Sequence, residues 1–203
     1  MLVLTDAGLA APRPVVEVVQ AVLEAGVRSI QLRDKTATAR ELHTQAQALL
    51  ALTRRHGALL LVNDRVDVAL AAGADGAHLG PNDLSIAGAR QIVPPNFIVG
   101  YSCDDPVEAR AAMAAGADYI GCGAVFGTTS KDVGGEAIGL ERLDAVAGAV
   151  AGPTVAIGGI DDQNVHRVAA TRATGVAVVS SVMAAPDPGA VAGRLVAAFA
   201  HRD

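Results

Sequence analysis

The sequence predicts an α/β fold, a single-domain (β/α)8 TIM barrel that spans residues 1–203. Three observations support this prediction. Eight short strand-like runs alternate with longer helix-like stretches, a short motif recurs along the chain, and polar residues gather where the predicted strands end. A length of 203 residues lies at the lower limit for such a barrel.

Strand-like runs and helical stretches follow each other in strict alternation. The predicted strands cover residues 2–5, 29–33, 59–63, 76–79, 97–101, 119–122, 154–157 and 175–179. The predicted helices lie near residues 14–25, 38–56, 65–72, 85–92, 106–115, 140–150, 162–170 and 188–201. Eight such units favour a closed parallel barrel. A doubly wound open sheet is the alternative, but it uses fewer strands and has a glycine-rich turn after the first one, where this chain reads Thr-Asp-Ala-Gly.

A short Ala-Gly motif ends three of the predicted helices. It is centred on Gly26, Gly73 and Gly116, which lie 47 and 43 residues apart, about the length of two strand–helix units. Glycine suits the left-handed residue that follows a helix. Before the last strand the motif degrades to Thr-Arg-Ala-Thr at residues 171–174.

The composition excludes several classes of protein. A net charge of −5 with 2% aromatic residues lacks the basic, aromatic surface of a nucleic-acid binder. Cys103 and Cys122 fit neither a disulfide framework nor a zinc pattern, which favours a reducing cytoplasm. No signal-peptide pattern or membrane-spanning apolar run is present. We expect a soluble, cytoplasmic protein with no nucleic-acid or membrane partner, and no sequence signal indicates an oligomeric state.

The second predicted strand ends in residues that suit an anion site. The active site of such a barrel lies at the carboxyl ends of its strands. Alternation along the strand puts Gln31, Arg33 and Lys35 on one face and Leu32 on the other. A guanidinium group matches phosphate oxygens through its planar fork. The alternative is a salt bridge between Arg33 and an aspartate at the barrel mouth.

Carboxylates follow the third and fourth predicted strands. Asn63 and Asp64 end the third strand, and Asp83 follows the fourth. Two aspartates from adjacent strand ends, completed by water and phosphate oxygens, suit Mg²⁺. The alternative is that Asp64 and Asp83 cap the helices that follow them.

Hydroxyl groups and a lysine occupy a long loop after the sixth predicted strand. Residues 123–139 are rich in Gly, Thr and Ser and contain Thr128, Thr129, Ser130 and Lys131 in sequence. Long loops in compact domains are often functional, and these side chains can surround a phosphate. The alternative is a solvated turn.

Three further strand ends carry small or hydroxyl residues. Ser102 follows the fifth predicted strand, Gly158 and Gly159 follow the seventh, and Val179 and Ser180 end the eighth. The loops after strands seven and eight form the recurrent phosphate site of these barrels, where glycine lets backbone N–H groups approach an anion. The alternative is ordinary tight packing between strand and helix.

These positions together predict two anion sites and therefore two phosphorylated small-molecule substrates. Covalent acyl chemistry is disfavoured, because no activated nucleophile or general-base histidine is evident. His78 is interpreted as a hydrogen-bonded residue of the barrel wall, and Cys103 and Cys122 as small hydrophobic residues.

From residues 4–6 to residues 179–181, the combined motifs resemble the thiamine-phosphate synthase family, a relative of thiazole tautomerase. The resemblance implies an Mg²⁺-dependent transferase that moves a pyrimidine-methyl group from its diphosphate to a thiazole phosphate, or to its carboxylate with loss of CO₂. The products are thiamine phosphate and pyrophosphate. The family's reaction passes through a pyrimidine-methyl cation.

The resemblance also implies a role for each site residue. Asp64 and Asp83 would hold Mg²⁺. The residues implied to bind the pyrimidine diphosphate are Gln31, Arg33, Lys35, Asn63, Ser102 and Lys131. Arg33, Lys35, Ser102 and Lys131 would also act in catalysis. The residues implied to bind the thiazole phosphate are Thr128, Thr129, Ser130, Gly159, Val179 and Ser180.

Two alternatives remain, the thiazole tautomerase and a non-catalytic phosphate-binding barrel. The tautomerase relies on a histidine where this chain has Asp104, and it tends to lose the carboxylates and the glutamine that this chain keeps. A binding module needs fewer metal and diphosphate residues. Departures from the synthase pattern are Pro81 in place of Gln, Gly127 in place of Pro, and Ser130 in place of Thr.

Overall fold

The chain forms a closed barrel of eight parallel strands that pair in sequence order. The computed structural model describes residues 1–127 and 137–200. The strands are β1 (Leu2–Leu4), β2 (Ser29–Leu32), β3 (Leu59–Asn63), β4 (Gly76–Leu79), β5 (Ile98–Ser102), β6 (Tyr119–Cys122), β7 (Thr154–Ile157) and β8 (Gly175–Val178). β1 pairs with β8 and closes the barrel. The predicted fold class is confirmed, and the domain extent of 1–203 stays a prediction.

Helices surround the barrel and connect its strands. The described residues form α1 (Ala7–Ala10), α2 (Val15–Glu24), α3 (Ala39–Arg55), α4 (Val66–Ala72), α5 (Ile86–Ile92), α6 (Pro106–Ala114), α7 (Gly139–Ala149), α8 (Val165–Ala169), α9 (Ser180–Met183) and α10 (Pro188–Ala200). The described part of the chain contains no helix that is both long and apolar enough to cross a membrane.

Most predicted helix ends differ from the observed ones because the prediction included the capping residues. Thr38 precedes α3 and forms a capping box with Glu41. Asp105, which the predicted helix 106–115 left out, precedes α6 and accepts hydrogen bonds from the backbone of Val107 and Glu108. These side chains satisfy N–H groups that a helix cannot pair internally.

The short helices α1 and α9 were not predicted. Each has four residues, which is about one turn and too short to show helical periodicity. Asp6 begins α1 by accepting a hydrogen bond from the backbone N–H of Leu9 at 3.0 Å. α9 follows β8 directly, at the barrel end where the strands terminate.

The apolar residues form two cores, one outside and one inside the barrel. Outward-facing strand residues such as Ile30, Leu60 and Ile120 are fully buried against the helices. The inner core consists of Leu2, Leu4, Leu61, Tyr119 and Ala177. Its residues are few because polar side chains occupy the inside of the barrel toward the carboxyl ends of the strands.

The Ala-Gly motif has the predicted left-handed backbone. Gly26, Gly73 and Gly116 have φ values of 100°, 75° and 105°. After two of them comes an aspartate that pairs with the preceding strand: Asp75 accepts from the N–H of Leu60 at 2.7 Å, and Asp118 from that of Val99 at 2.7 Å.

The degraded motif before β8 keeps this function with a different side chain. The Oγ1 of Thr174 accepts a hydrogen bond from the backbone N–H of Thr154 at 3.0 Å. Thr174 therefore takes the place of Asp75 and Asp118 in their repeats, which explains why the sequence can change there without loss of the contact between adjacent units.

Candidate active site

A cavity of about 450 Å³ opens at the carboxyl ends of the strands. Every strand contributes an inward-facing residue to its wall: Leu2, Gln31, Asn63, His78, Ser102, Tyr119, Val155 and Ala177. The structure brings together in this cavity seven of the residues predicted from the sequence: Gln31, Arg33, Lys35, Asn63, Asp64, Asp83 and Ser102. They come from four consecutive strand ends, so the barrel geometry accounts for their proximity.

A second, smaller cavity of about 40 Å³ lies beside the first. Gly158, Gly159, Val179 and Ser180 line it, as expected for the loops after the last two strands. The two glycines have φ values of 100° and 65°, a backbone conformation that other residues rarely adopt. Arg33 lines both cavities, so its guanidinium can reach an anion in either one.

Arg33 is held from two directions. The Oγ1 of Thr5 accepts its backbone N–H at 2.9 Å, and the carboxylate of Asp6 lies 3.8 Å from its guanidinium. The salt bridge considered as an alternative is therefore present. At this distance it leaves guanidinium donors available, and the side chain still lines both cavities with 16% of its surface exposed.

Asp64 and Asp83 face the same cavity and interact with each other. Burial, followed by the hydrogen bond and the charge of Asp83, raises the pKa of Asp64 above its usual value. Lys35 opposes this effect from 3.8 Å. Asp64 has a φ of 63°, and its backbone N–H donates to the carbonyl of His78 at 2.8 Å.

The capping alternative for these two aspartates is wrong. Arg65 is the N-cap of α4 and makes no side-chain capping bond, while Ser85 caps α5 through Gly88. Asp83 instead accepts the backbone N–H of Gly80 at 2.7 Å, which fixes the turn after β4. Both carboxylates consequently remain directed at the cavity.

The pair of carboxylates fits a hard divalent cation. Two interacting acids, one with a raised pKa, favour either a proton or a cation between them. Mg²⁺ takes oxygen ligands and is usually bound by one or two carboxylates, with water and substrate phosphate completing its shell. Within residues 1–127 and 137–200, no cluster of three or more His, Cys, Asp or Glu side chains could hold a metal ion.

A chain of polar side chains crosses the inside of the barrel. His78 Nδ1 lies 2.8 Å from the Tyr119 hydroxyl, and His78 Nε2 lies 2.7 Å from Ser102 Oγ. Burial raises the pKa of Tyr119 above its usual range, and the nearby side chain of Gln31 acts in the opposite direction. The prediction of His78 as a hydrogen-bonded wall residue is confirmed.

Tyr119 was missed as a cavity residue, and His78 was not assigned to the site. The available signal was a pair of glycines, Gly100 on β5 and Gly121 on β6. A Cβ atom at Gly100 would lie 2.5 Å from His78 Nδ1 and even closer to the ring of Tyr119. One at Gly121 would lie 2.9 Å from His78 Cε1.

The cysteines are not activated nucleophiles. Burial raises the pKa of both the Cys103 and the Cys122 thiol to about 12. Reactive cysteines have lowered pKa values, so both behave as the small hydrophobic residues that the sequence indicated.

The predicted loop residues Thr128, Thr129, Ser130 and Lys131 lie outside the described residues. The described ends of this loop are adjacent to each other, because Ile138 N–H donates to the carbonyl of Ala124 at 2.8 Å. Phe126 N–H donates to the carbonyl of Gly158 at 3.0 Å, and Arg167 stacks on its ring at 5.2 Å. The loop therefore begins beside the smaller cavity.

The chain is similar to known proteins over most of its length. It is 49% identical to thiamine-phosphate synthase of Natronomonas pharaonis over 186 residues, covering 91% of this chain and 87% of that protein. It is 50% identical over 176 residues, 87% of the chain, to the bifunctional thiamine biosynthesis protein ThiM/ThiE of Symbiobacterium thermophilum, and corresponds to 37% of that longer protein.

Structural comparison agrees with the sequence relatives. Thiamine phosphate pyrophosphorylase from Pyrococcus furiosus superposes with a TM-score of 0.90 at 43% identity, covering 98% of this chain and 94% of that one. The family model of thiamine monophosphate synthase matches residues 1–182. The chain therefore belongs to the thiamine monophosphate synthase family.

Proposed function

We propose that this chain joins a pyrimidine-methyl diphosphate to a thiazole phosphate, giving thiamine phosphate and pyrophosphate. The observation that carries the proposal is the adjacency of two cavities. One combines two carboxylates with Arg33 and Lys35, which suits a diphosphate with its cation, and the other has a glycine-rich backbone, which suits a monophosphate. Family membership supports the same reaction.

The larger cavity would bind the diphosphate and stabilise it as it departs from the pyrimidine. Asp64 and Asp83 would hold Mg²⁺, which when bound would neutralise charge on the departing pyrophosphate. Arg33 and Lys35 would add cationic donors on the other side of the same cavity, and Lys131 would add a third from the loop. Charge stabilisation is the main requirement when departure of the leaving group limits the rate.

The pyrimidine would lie deeper in the barrel than its diphosphate. Gln31 is only 2% exposed, and its Oε1 has no hydrogen-bond partner among the described residues. A buried acceptor without a partner is costly, and an amino group on a bound ring would satisfy it. Ser102 and Asn63 line the same wall and would supply further polar contacts.

The phosphate group of the thiazole substrate would bind at the smaller cavity, held by Gly159, Val179 and Ser180. Thr128, Thr129 and Ser130 would contact the thiazole from the loop above. The shared wall between the cavities would bring the thiazole nitrogen near the pyrimidine methyl carbon. Closure of the loop would exclude water, which otherwise captures a pyrimidine-methyl cation as an alcohol.

The acceptor is proposed to be the thiazole phosphate or its carboxylate, the latter losing CO₂. The tautomerase alternative is not favoured, because the position of its histidine holds Asp104, whose carbonyl accepts from Arg142 at 2.6 Å. We also propose a cytoplasmic location, since Cys103 and Cys122 are both free thiols.

Product identification tests the proposal. The purified chain, incubated with both substrates and Mg²⁺, should form thiamine phosphate in amounts equal to the pyrophosphate released, as measured by chromatography. Binding of the thiazole phosphate without any product would instead favour a non-catalytic barrel. Isomerisation of the thiazole carboxylate without the pyrimidine substrate would favour the tautomerase.

A further inference from the structure

We propose that Asn164 is a positioning residue that aims the backbone N–H of Ile160 at a phosphate group bound in the smaller cavity. The inference rests on the proposed function in one respect, the identity of the thiazole phosphate as the natural ligand of this cavity. Contact of the same N–H with an inorganic phosphate ion can be measured without turnover.

The side chain of Asn164 makes two hydrogen bonds within the loop that follows β7. Its Nδ2 donates to the carbonyl of Gly159 at 2.8 Å, and its Oδ1 accepts the backbone N–H of Asp161 at 3.1 Å. Asp161 Oδ1 in turn accepts the backbone N–H of Asn164 at 3.1 Å. This reciprocal pair of bonds fixes the side chain of Asn164, so that its amide NH₂ group stays directed at Gly159.

Asn164 does not use its side chain to cap the helix that it precedes. It is the N-cap of α8, a position at which an asparagine ordinarily accepts a hydrogen bond from the first helical turn. The side chain of Asn164 makes no such bond and reaches back across the loop instead. Its contact with Gly159 is therefore not a by-product of helix capping.

The bond to the Gly159 carbonyl sets the direction of the next N–H group. The peptide bond between Gly159 and Ile160 is trans, so its C=O and N–H point in opposite directions. Asn164 lies outside the walls of both cavities, whereas Gly159 and Ile160 line the smaller one. Because Asn164 holds the carbonyl away from the cavity, the N–H of Ile160 is directed toward it.

The two preceding carbonyl groups of this loop are held as well. The N–H of Val125 donates to the carbonyl of Ile157 at 2.9 Å, and that of Phe126 donates to the carbonyl of Gly158 at 3.0 Å. These donors come from the start of the loop after β6. Asn164 supplies the third donor in the series from the opposite side, so it is the only side chain among the three.

The N–H groups of Gly159 and Ile160 are left to bind a ligand. Neither has a hydrogen-bond acceptor within residues 1–127 and 137–200. Ile160 is only 4% exposed, and an unpaired N–H at a buried residue costs free energy that an anion would recover. Successive N–H groups in a turn with left-handed residues form a concave site that suits anions.

Kinetics of paired variants test the positioning role. Asn164→Ala removes both side-chain bonds, whereas Asn164→Asp keeps an acceptor for the N–H of Asp161 but loses the donor to Gly159. We expect KM for the thiazole phosphate to rise about fivefold to tenfold in Asn164→Ala, and at least as much in Asn164→Asp. The kcat and the KM for the pyrimidine diphosphate should stay within about twofold of the parent. Asn96→Asp, in the exposed turn before β5, makes the same chemical change elsewhere and should alter none of these values.

Three results would overturn the proposal. The first is an unchanged KM for the thiazole phosphate in Asn164→Ala. The second is a similar change in kcat and in both KM values, which a general disturbance of the fold would cause. The third is an effect in Asn164→Asp alone, because repulsion between a new carboxylate and the phosphate would then explain it. Thermal unfolding of each variant shows whether the fold is retained.

NMR of the parent chain gives a readout that needs neither turnover nor a stable variant. In the ¹⁵N-labelled chain, titration with inorganic phosphate should shift the amide signals of Gly159 and Ile160 until they saturate. Asn164→Ala should weaken this binding about fivefold to tenfold. Amide signals that do not respond to phosphate in the parent chain would contradict the proposal. If the chain fails to make thiamine phosphate, the proposed function is wrong, but this titration still decides the role of Asn164.

Discussion

Gly100→Ala should destabilise the protein by crowding the polar side chains inside the barrel. The added methyl group would lie 2.5 Å from His78 Nδ1 and closer still to the Tyr119 ring, well inside contact distance. Overpacking of this kind costs about 1–3 kcal/mol. For a domain of this size, about 2–4 °C of Tm is lost per kcal/mol, so Tm should fall by roughly 2–12 °C.

Gly175→Ala is the matched control for this substitution. Gly175 begins β8, and a Cβ atom there would meet Val155 at 3.6 Å, an ordinary contact distance. Thermal unfolding followed by circular dichroism should show a clear loss of Tm for Gly100→Ala and almost none for Gly175→Ala. Equal Tm values for the two variants would refute the packing argument, because the crowding would then have been relieved at no cost.

Further predictions concern the carboxylate pair, the loop and the last repeat. Burial and Asp83 raise the pKa of Asp64, so its ionised form is less favourable in the folded than in the unfolded chain. Asp83→Asn should therefore lower that pKa and stabilise the ligand-free chain at neutral pH. The free energy of unfolding, measured against pH, should show this gain disappear as the pH falls through the range in which carboxyl groups titrate. Turnover should be largely lost in the same variant. Lys131→Ala should lower kcat on the order of 10²-fold, with little recovery in Lys131→Arg, and steady-state rates check this. Shortening residues 133–137 should raise the share of hydrolysed pyrimidine, which chromatography measures. Thr174→Ala should lower Tm by about 2–4 °C by removing one acceptor, whereas Thr174→Asp should restore it.

The strands and the main site residues could be predicted from the sequence for a simple reason. Strands buried on both faces appear as short apolar runs, and a closed barrel gathers their carboxyl ends at one mouth. Alternation along β2 then places Gln31 inside the barrel and Leu32 outside it, as the structure has them. The positions of such residues can be predicted from their own strand, without information about contacts between distant parts of the chain.

The remaining features depend on contacts between distant parts of the chain. His78 and Tyr119 are separated by 41 positions, and the only sequence signal of their contact is indirect, the small residues Gly100 and Gly121 that leave space for them. The salt bridge of Asp6 to Arg33 also joins separate units of the barrel. The role of Thr174 could not be recognised because a threonine replaces an aspartate, and only the shared backbone partner reveals the equivalence.

The most direct test of the account is the release of pyrophosphate measured with each substrate alone and with both, over a series of Mg²⁺ concentrations. The account predicts release that needs Mg²⁺, yields thiamine phosphate only when both substrates are present, and is nearly abolished in Asp64→Ala and Asp83→Ala variants that keep the fold. Full release by both variants, or release independent of Mg²⁺, would contradict it.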